Sequence, residues 1–407
     1  MRYGLLGQKL SHSYSPQIHT ALADYDYELI QVEPEALGSF MGTADFAGIN
    51  VTIPYKKAVL PYCQSLSTQA KRLGAVNTIV KQADGSLWGH NTDYFGFQEM
   101  VRVSGINVQN KKVLVLGSGG AGVTASAVLS DLGANVICIS RNGKNNYANL
   151  YLHADASLLV NATPVGMYPH NGTSPVSVAA FPCLEGVLDL IYNPSKTDLL
   201  LQAEERGIVA LNGLYMLVAQ AKESAEFFCG SKIPNVKIAE IYANLKIQME
   251  NIVLIGMPGA GKSAIGTVLA KKLNRKFVDT DQLIIERVGM SIPEYMKSYG
   301  LDKFRERETE ILREICKESG LVIATGGGCV TRLENYRIIR QNGTVVWIKR
   351  DISLLPTEGR PLSQANSLQD MYEARSPLYS RFANIHTCND ATVEKAADAI
   401  LRSLKGE

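Results

Sequence analysis

Apolar and polar positions alternate along this chain in a pattern that recurs twice. Lys112-Val113-Leu114-Val115-Leu116 is a continuous apolar run, followed by a glycine-rich turn and then by apolar residues at helical spacing through Leu132. Asn251 to Leu273 repeats the plan: Ile252-Val253-Leu254-Ile255, a second glycine-rich turn, and a second helical stretch. A short apolar run bounded by such a turn predicts a strand buried on both faces, so each segment is expected to open its own parallel α/β sheet. Further strands are predicted in the chain start (Met1 to Gly7), at Asn135 to Ile139 and at Leu321 to Ala324, and helices over Leu211 to Phe228 and Val236 to Lys246. The fold class is therefore α/β.

Because 407 residues exceed what one core ordinarily organises, two or three cores are expected. No repeat, low-complexity tract or long Gly/Ser/Pro linker marks a boundary, so the join has to be placed by topology. The helix ending near Lys246 and the strand beginning at Asn251 put it near 247 to 250. With 46% hydrophobic and 20% charged residues, the composition is that of an ordinary globular protein. A net charge of +2 without a basic run speaks against a nucleic-acid partner, and no apolar run reaches the roughly 18 residues needed to span a bilayer. Seven scattered cysteines with no C-x-x-C pair indicate neither a disulfide framework nor a structural zinc site, and a cytoplasmic location is expected. The sequence sets no oligomeric state.

The first turn, Gly117-Ser118-Gly119-Gly120-Ala121-Gly122, is a G-x-G-x-x-G sequence between strand and helix. In that context the glycines let a pyrophosphate approach the backbone at a helix N-terminus, where free N–H groups favour an anion. The next strand ends in Ser140-Arg141-Asn142; an arginine in place of an acidic residue suits a 2′-phosphate, so NADP(H) is favoured over NAD. A plain surface arginine is the other reading of Arg141.

Polar clusters surround this turn in the chain: His12-Ser13-Tyr14-Ser15-Pro16, Asn50-Val51-Thr52-Ile53-Pro54-Tyr55-Lys56, Gly74-Ala75-Val76-Asn77-Thr78, Asn91-Thr92-Asp93 and Asn161-Ala162-Thr163-Pro164-Val165-Gly166-Met167. Each alone is compatible with turn chemistry. In this order they resemble the shikimate dehydrogenase family over residues 1 to 246. The resemblance implies a substrate domain of residues 1–98 with 212–246 and a Rossmann-like NADP domain of 99–211. It assigns the catalytic pair to Lys56 and Asp93, and a polar ring around the carboxylate and hydroxyls of 3-dehydroshikimate to Ser13, Ser15, Thr52, Asn77, Asp93, Tyr192 and Gln220. It places NADP at Gly117, Ser118, Gly119, Gly120, Ala121 and Arg141, with Met167 and Gly213 against the nicotinamide. One departure stands out: the stretch from Arg141 to Asn161 is too short for the helix and strand that the family usually fits there, so the cofactor domain is trimmed.

The second turn, Gly256-Met257-Pro258-Gly259-Ala260-Gly261-Lys262-Ser263, matches G-x-x-x-x-G-K-[ST] at every fixed position. Such a loop cradles phosphate with its N–H groups, sends the lysine to the outer phosphates and offers the serine hydroxyl to Mg²⁺. ATP is expected at Gly259, Ala260, Gly261, Lys262, Ser263 and Ala264. Downstream come Asp279-Thr280-Asp281, Phe304-Arg305-Glu306-Arg307-Glu308, Thr325-Gly326-Gly327-Gly328, Arg360-Pro361-Leu362 and Arg375-Ser376-Pro377-Leu378-Tyr379. This ordered set resembles shikimate kinase across residues 250 to 407. The resemblance implies that Asp281 faces the reacting hydroxyl and that Arg305 and Arg375 grip the shikimate carboxylate, with Glu308 holding Arg305. It further implies that Gly326, Gly327 and Gly328 approach the substrate, that Arg360 closes on the transferred phosphate and on ATP, and that Ser263 and Asp279 serve the metal. The stretch Leu354-Leu355-Pro356-Thr357-Glu358-Gly359 lacks a basic residue that some members carry near the adenine. Arg307 and Arg313 read as solvated helix residues.

The product implied for the first half is the substrate implied for the second, which makes a bifunctional enzyme the leading expectation. Two other readings stay open. One keeps the folds but uses NAD and quinate or shikimate beside a kinase for another small hydroxy acid; Arg141 speaks against it. The other is a non-catalytic metabolite-sensing scaffold; the intact set Lys56, Asp93, Lys262, Asp281 and Arg360 speaks against that.

Overall fold

The computed structural model describes residues 2–10, 13–355 and 368–405. His12 and Arg360, with Pro361 and Leu362, lie outside them. Strands are β1 (Tyr3–Gly7), β2 (Tyr27–Gln31), β3 (Gly48–Val51), β4 (Ser65–Leu66), β5 (Thr78–Lys81), β6 (Leu87–His90), β7 (Lys112–Leu116), β8 (Asn135–Ile139), β9 (Leu158–Asn161), β10 (Gly186–Asp189), β11 (Val209–Asn212), β12 (Asn251–Ile255), β13 (Phe277–Asp279), β14 (Val322–Ala324), β15 (Gly343–Lys349) and β16 (Ile385–Cys388). The helices are α1 (Ser15–Leu22), α2 (Leu37–Thr43), α3 (Thr68–Leu73), α4 (Asp93–Ser104), α5 (Gly120–Asp131), α6 (Asp198–Glu205), α7 (Leu214–Cys229), α8 (Val236–Met249), α9 (Lys262–Leu273), α10 (Thr280–Val288), α11 (Ile292–Tyr299), α12 (Leu301–Ile315) and α13 (Glu334–Arg340). Leu368–Phe382 and Val393–Lys405 are helical as well.

Packing divides the chain into two compact units. The first comprises Met1–Val165, Ser174–Tyr192 and Gln202–Leu245; the second comprises Lys246–Glu407 together with Gly166–Thr173 and Asn193–Leu201. The first unit holds two sheets. One is mixed, in the order β2-β1-β3-β5-β6-β4, with β5 antiparallel to both β3 and β6. The other is all-parallel, in the order β11-β10-β9-β7-β8. In its strand β7, Val113 to Leu116 are fully buried, as expected of a strand with helices on both faces. Its helix α5 buries Ala125, Val128 and Leu129 against Val113 and Val115, because those residues recur on one stripe of the helix. Strand β8 is an edge, and between it and β9 the chain makes only a 3₁₀ segment, Tyr147–His153, with Tyr151 and Leu152 exposed. The trimming expected from the short Arg141–Asn161 spacing is thus a crossover without an α-helix.

The second unit is built on an all-parallel sheet in the order β13-β14-β12-β15-β16. Ile252 to Ile255 in β12 and Val345 to Ile348 in β15 form the centre of its core. Truncating a buried leucine such as Leu254 to alanine costs about 2–5 kcal/mol. Within the same unit, Ser195 N–H donates to Asn342 Oδ1 and Lys196 N–H to Gln341 O, both at 2.8 Å, which anchors the 193–201 segment. Among the described residues no helix is long and apolar enough to cross a membrane.

Candidate active sites

In the first unit the polar clusters of the sequence converge at the ends of β3, β5 and β6 and the start of α4. Lys56 follows β3, and its Nζ donates to Asp93 Oδ2 at 2.5 Å. Asp93 opens α4, and its own N–H is held by Asn91 Oδ1 at 3.1 Å, while Asn91 Nδ2 donates to Ala75 O. Asn77 braces the carboxylate from the other side. Its Nδ2 donates to Asp93 Oδ1 at 2.9 Å and to Thr92 Oγ1 at 3.0 Å, and its Oδ1 accepts from Thr92 N–H at 2.7 Å. Asn77 is 3% exposed, so its amide has one orientation that satisfies both ends. Gln220, on α7, accepts from Thr92 Oγ1 at 3.2 Å through Oε1. Gly96 lets α4 approach α7 at this point, since a Cβ there would lie 2.7 Å from Met216 O.

Ser13 Oγ donates to Ser15 Oγ at 3.1 Å, and Ser15 is buried in the first turn of α1. The rings of Tyr14 and Tyr192 meet edge to face, 6.4 Å between centroids, and burial pushes both phenols up. Thr52 is half-buried just past β3, where its N–H donates to Leu6 O. The structure therefore brings Lys56, Asp93, Asn77 and Gln220 into one hydrogen-bonded set, with Ser13 and Ser15 forming a separate pair.

On the all-parallel sheet of this unit, Leu116 and Ile139 are register partners, so Gly117 and Arg141 sit just beyond the carboxyl ends of neighbouring strands. That is where open α/β sheets bind ligands. Ser118, Gly119, Gly120 and Ala121 are exposed at the N-terminus of α5, and Arg141 is exposed too. A Cβ on Gly122 would overlap Gly117 O, which explains the last glycine of the turn. Gly213 opens α7 with its N–H on Ile191 O at 3.1 Å. Met167, 45% exposed, falls in the second unit. The exposed N–H groups and the arginine fit a dinucleotide carrying a 2′-phosphate.

In the second unit, one cavity of about 410 Å³ is lined by Lys262, Ser263, Asp279, Asp281, Arg305 and Arg375, among others. The phosphate loop is shaped from both sides. Lys262 Nζ donates to Gly256 O and Met257 O, each at 3.0 Å. Arg350 Nη1 donates to Gly259 O at 3.2 Å, and Asn389 Nδ2 donates to Ala260 O at 2.8 Å. Ala264 follows in the first turn of α9. Asp279 divides its oxygens: Oδ1 caps α10 by accepting from Asp281 N–H, and Oδ2 accepts from Ser263 Oγ at 2.5 Å. A hydroxyl and a carboxylate so paired form an oxygen set of the kind that holds Mg²⁺ beside phosphates.

Opposite the loop, Arg305 Nη1 donates to Glu308 Oε2 at 2.7 Å, with Glu308 fully buried. Arg375 Nη1 and Tyr379 O–H both donate to Gly327 O, at 3.2 and 2.5 Å. A side chain at Gly328 would displace the Arg305 guanidinium from its place beside Glu308. Asp281 Oδ1 and Glu308 Oε1 are buried with no hydrogen-bond partner among the described residues. Burial pushes both carboxyls above the ordinary range, Lys262 and Arg305 opposing it at Asp281 and Arg305 at Glu308. Arg307 and Arg313 make exposed ion pairs with Glu310 and Glu334.

Sequence reading had not singled out Arg350, Asn389 or the apolar wall formed by Ile292, Pro293 and Met296. Only the folded sheet brings β15 and β16 beside the phosphate loop. Ser224, whose Oγ lies 3.2 Å from Thr92 Oγ1, was also missed; its spacing of four residues from Gln220 on one helix was the available signal.

Comparison with known proteins accords with this geometry. The family described as shikimate kinase matches residues 258–405, and the shikimate dehydrogenase substrate binding domain matches residues 5–79. Shikimate dehydrogenase (NADP(+)) of Clostridium perfringens is 34% identical over 266 residues, covering 60% of this chain and 98% of that protein. The crystal structure of shikimate dehydrogenase 1 from Peptoclostridium difficile is 38% identical with a TM-score of 0.56, over 61% of this chain and 98% of that one. Shikimate 5-dehydrogenase from Thermus thermophilus, solved in complex with NADP(H) and shikimate, is 31% identical with a TM-score of 0.55, over 60% of this chain and 99% of that one. The chain belongs to the shikimate dehydrogenase family and carries a shikimate kinase domain behind it, as a bifunctional fusion.

Proposed function

We propose that the chain catalyses two consecutive reactions, the NADPH-dependent reduction of 3-dehydroshikimate to shikimate and the ATP- and Mg²⁺-dependent phosphorylation of shikimate to shikimate 3-phosphate. Residues 1–98 with 212–246 hold the first substrate, 99–211 apart from 166–173 and 193–201 the dinucleotide, and 250–407 carry out the second reaction. The observation that supports the pairing most directly is that each unit presents its own set of groups for a small hydroxylated acid. One set centres on the Lys56–Asp93 pair at 2.5 Å, the other on Asp281, Arg305 and Arg375 in one cavity with the phosphate loop.

In the reduction, NADPH supplies the hydride when bound. Lys56 Nζ stabilises the charge that develops on the ketone oxygen and gives it a proton. Asp93 keeps that ammonium in place, and Asn77 keeps Asp93 in place. Ser13, Ser15, Thr52, Tyr192 and Gln220 offer neutral polar groups to the carboxylate and the remaining hydroxyls. Gly117 to Ala121, with Arg141, hold the phosphates of the dinucleotide, and Gly213 takes its nicotinamide end.

In the phosphorylation, Asp281 Oδ1 accepts the proton of the reacting hydroxyl. Arg305 and Arg375 hold the carboxylate, the former kept planar to it by Glu308. Mg²⁺ neutralises phosphate charge when bound, and Ser263 with Asp279 would hold it. Lys262 and Arg360 stabilise the transferring phosphoryl group by position and charge.

The test is one reaction mixture of the full chain with 3-dehydroshikimate, NADPH, ATP and Mg²⁺, following NADPH absorbance and ADP release separately, with NADH in a parallel tube. NADPH consumption followed by ADP release is expected. ADP release from added shikimate without oxidation of either reduced cofactor overturns the first assignment alone; faster use of NADH overturns the choice of cofactor.

A further inference from the structure

One buried polar cluster in the first unit is used by neither reaction as described above. Ser224, on α7, is fully buried and meets three other elements. Its Oγ accepts from Asn50 Nδ2 at 2.7 Å, lies 3.0 Å from Thr78 Oγ1 and 3.2 Å from Thr92 Oγ1, and donates to Gln220 O at 3.0 Å. Asn50, Thr78 and Thr92 are buried as well. The direction of the network is set at its far end. Tyr27 O–H donates to Asn50 Oδ1 at 2.8 Å, which turns the amide nitrogen of Asn50 toward Ser224.

A serine that bonds the carbonyl one turn back is by itself an ordinary helix feature. Ser224 makes three further contacts, and each of those leads toward the reacting groups. Thr92 immediately precedes Asp93 and shares Asn77 with it, through Thr92 N–H to Asn77 Oδ1 and Asn77 Nδ2 to Asp93 Oδ1. Thr92 Oγ1 also donates to Gln220 Oε1 at 3.2 Å. Ser224 therefore sits where the helix carrying Gln220 is tied to the turn carrying Asp93 and to the strands that carry Asn50 and Thr78.

We propose that Ser224 is a positioning residue for the reduction, acting through Thr92 and Gln220 to hold the Asp93 carboxylate and the Gln220 amide in register around the substrate. The inference rests on the assignment of Lys56 and Asp93 above. Without the hydroxyl, Asn50 Nδ2 keeps Thr78 Oγ1 and Asn77 O as acceptors, whereas Thr92 is left with Gln220 Oε1 as its contact on α7. A misplacement on the order of 1 Å is enough to slow a well-oriented reaction by about a hundredfold.

The experiment is steady-state kinetics on the full chain carrying Ser224→Ala and, separately, Ser224→Cys, which keeps the side-chain shape with a larger atom and only a weak hydrogen-bonding group. For both, kcat for 3-dehydroshikimate reduction is expected to fall by about 10- to 100-fold. KM for 3-dehydroshikimate should rise, KM for NADPH should stay as in the parent chain, and the limbs of the pH–rate profile should move. Should the alanine variant fail to fold, the cysteine variant decides the matter. A folded variant with the parent's kcat, KM and pH profile overturns the role of Ser224. A parent chain that oxidises no NADPH with 3-dehydroshikimate overturns the dehydrogenase reading itself, and this inference with it.

Discussion

The Lys56–Asp93 site of the first unit and the Asp281 site of the second manage charge in opposite ways. In the first, the cation and the carboxylate already face each other at 2.5 Å, both partly exposed, and a neutral amide from Asn77 completes the carboxylate's coordination. In the second, Asp281 Oδ1 and Glu308 Oε1 are buried without a hydrogen-bond partner among the described residues, and burial pushes both carboxyls up. A buried unsatisfied polar group costs about 1–3 kcal/mol. At this site the second unit leaves acceptor oxygens unpaired among the described residues, whereas the first has its lysine and carboxylate paired. The contrast fits the chemistry proposed for each. Proton delivery to a ketone needs a charged donor held in place, while accepting a hydroxyl proton during phosphoryl transfer needs an acceptor that no protein group has claimed.

Substitutions at the two centres separate them. Lys56→Met should lower the rate of NADPH oxidation by about 10³-fold or more, at the upper end of what a positioned acid or base contributes, and leave shikimate-dependent ADP release within about twofold. Loss of both activities would break the comparison, because the two centres would then not act independently.

Asp281→Asn should lower ADP release by about 10²- to 10³-fold and leave NADPH oxidation intact. It also carries a sign for stability. A carboxyl whose pKa is raised on folding favours the folded state only while protonated, and above the raised value its ionised form opposes folding. At neutral pH the amide should therefore raise the calorimetric melting temperature of the second unit, whereas Asp93→Asn, which breaks an existing ion pair, should not. The same raised pKa sharpens the pH behaviour. In the proposed phosphorylation Asp281 acts in its ionised form, so the acid limb of kcat/KM for shikimate should lie above the ordinary aspartate value of about 4.

The smallest effect is expected at Arg141. It is exposed, so Arg141→Ala should raise KM for NADPH by about tenfold with kcat little changed and with NADH use unaffected. An equal loss with both cofactors would mean that the arginine does not read the 2′-phosphate.

Much of this organisation was legible because it is local. Both strand–turn–helix segments appear where their apolar runs predicted them, β7 with α5 and β12 with α9; the helix predicted from Leu211 starts only at Leu214 as α7, because Leu211 belongs to β11, and the one predicted over Val236 to Lys246 runs on to Met249 as α8. The Asp279-Thr280-Asp281 triplet is also built at short range, since Asp279 caps α10 and Asp281 stands in the first turn of that helix. The short Arg141–Asn161 spacing announced a missing crossover helix, and a 3₁₀ segment stands there instead. What could not be read were partners supplied from far along the chain. Arg350 and Asn389 reach the phosphate loop from about 90 and 130 residues away, and Ser224 reaches Asn50 across 174 positions.

By itself, then, the sequence determined the two α/β cores, the glycine turns that face anions, and the residue types around each centre, because turn geometry, capping and hydrophobic periodicity act over a few residues. The tertiary structure alone decided which groups are already paired and which wait with unclaimed oxygens. It also decided that 166–173 and 193–201 pack within the second unit rather than the first. Burial, desolvation and long-range hydrogen bonds depend on which distant segments share a neighbourhood, and that is settled only when the sheets close and the helices dock on them.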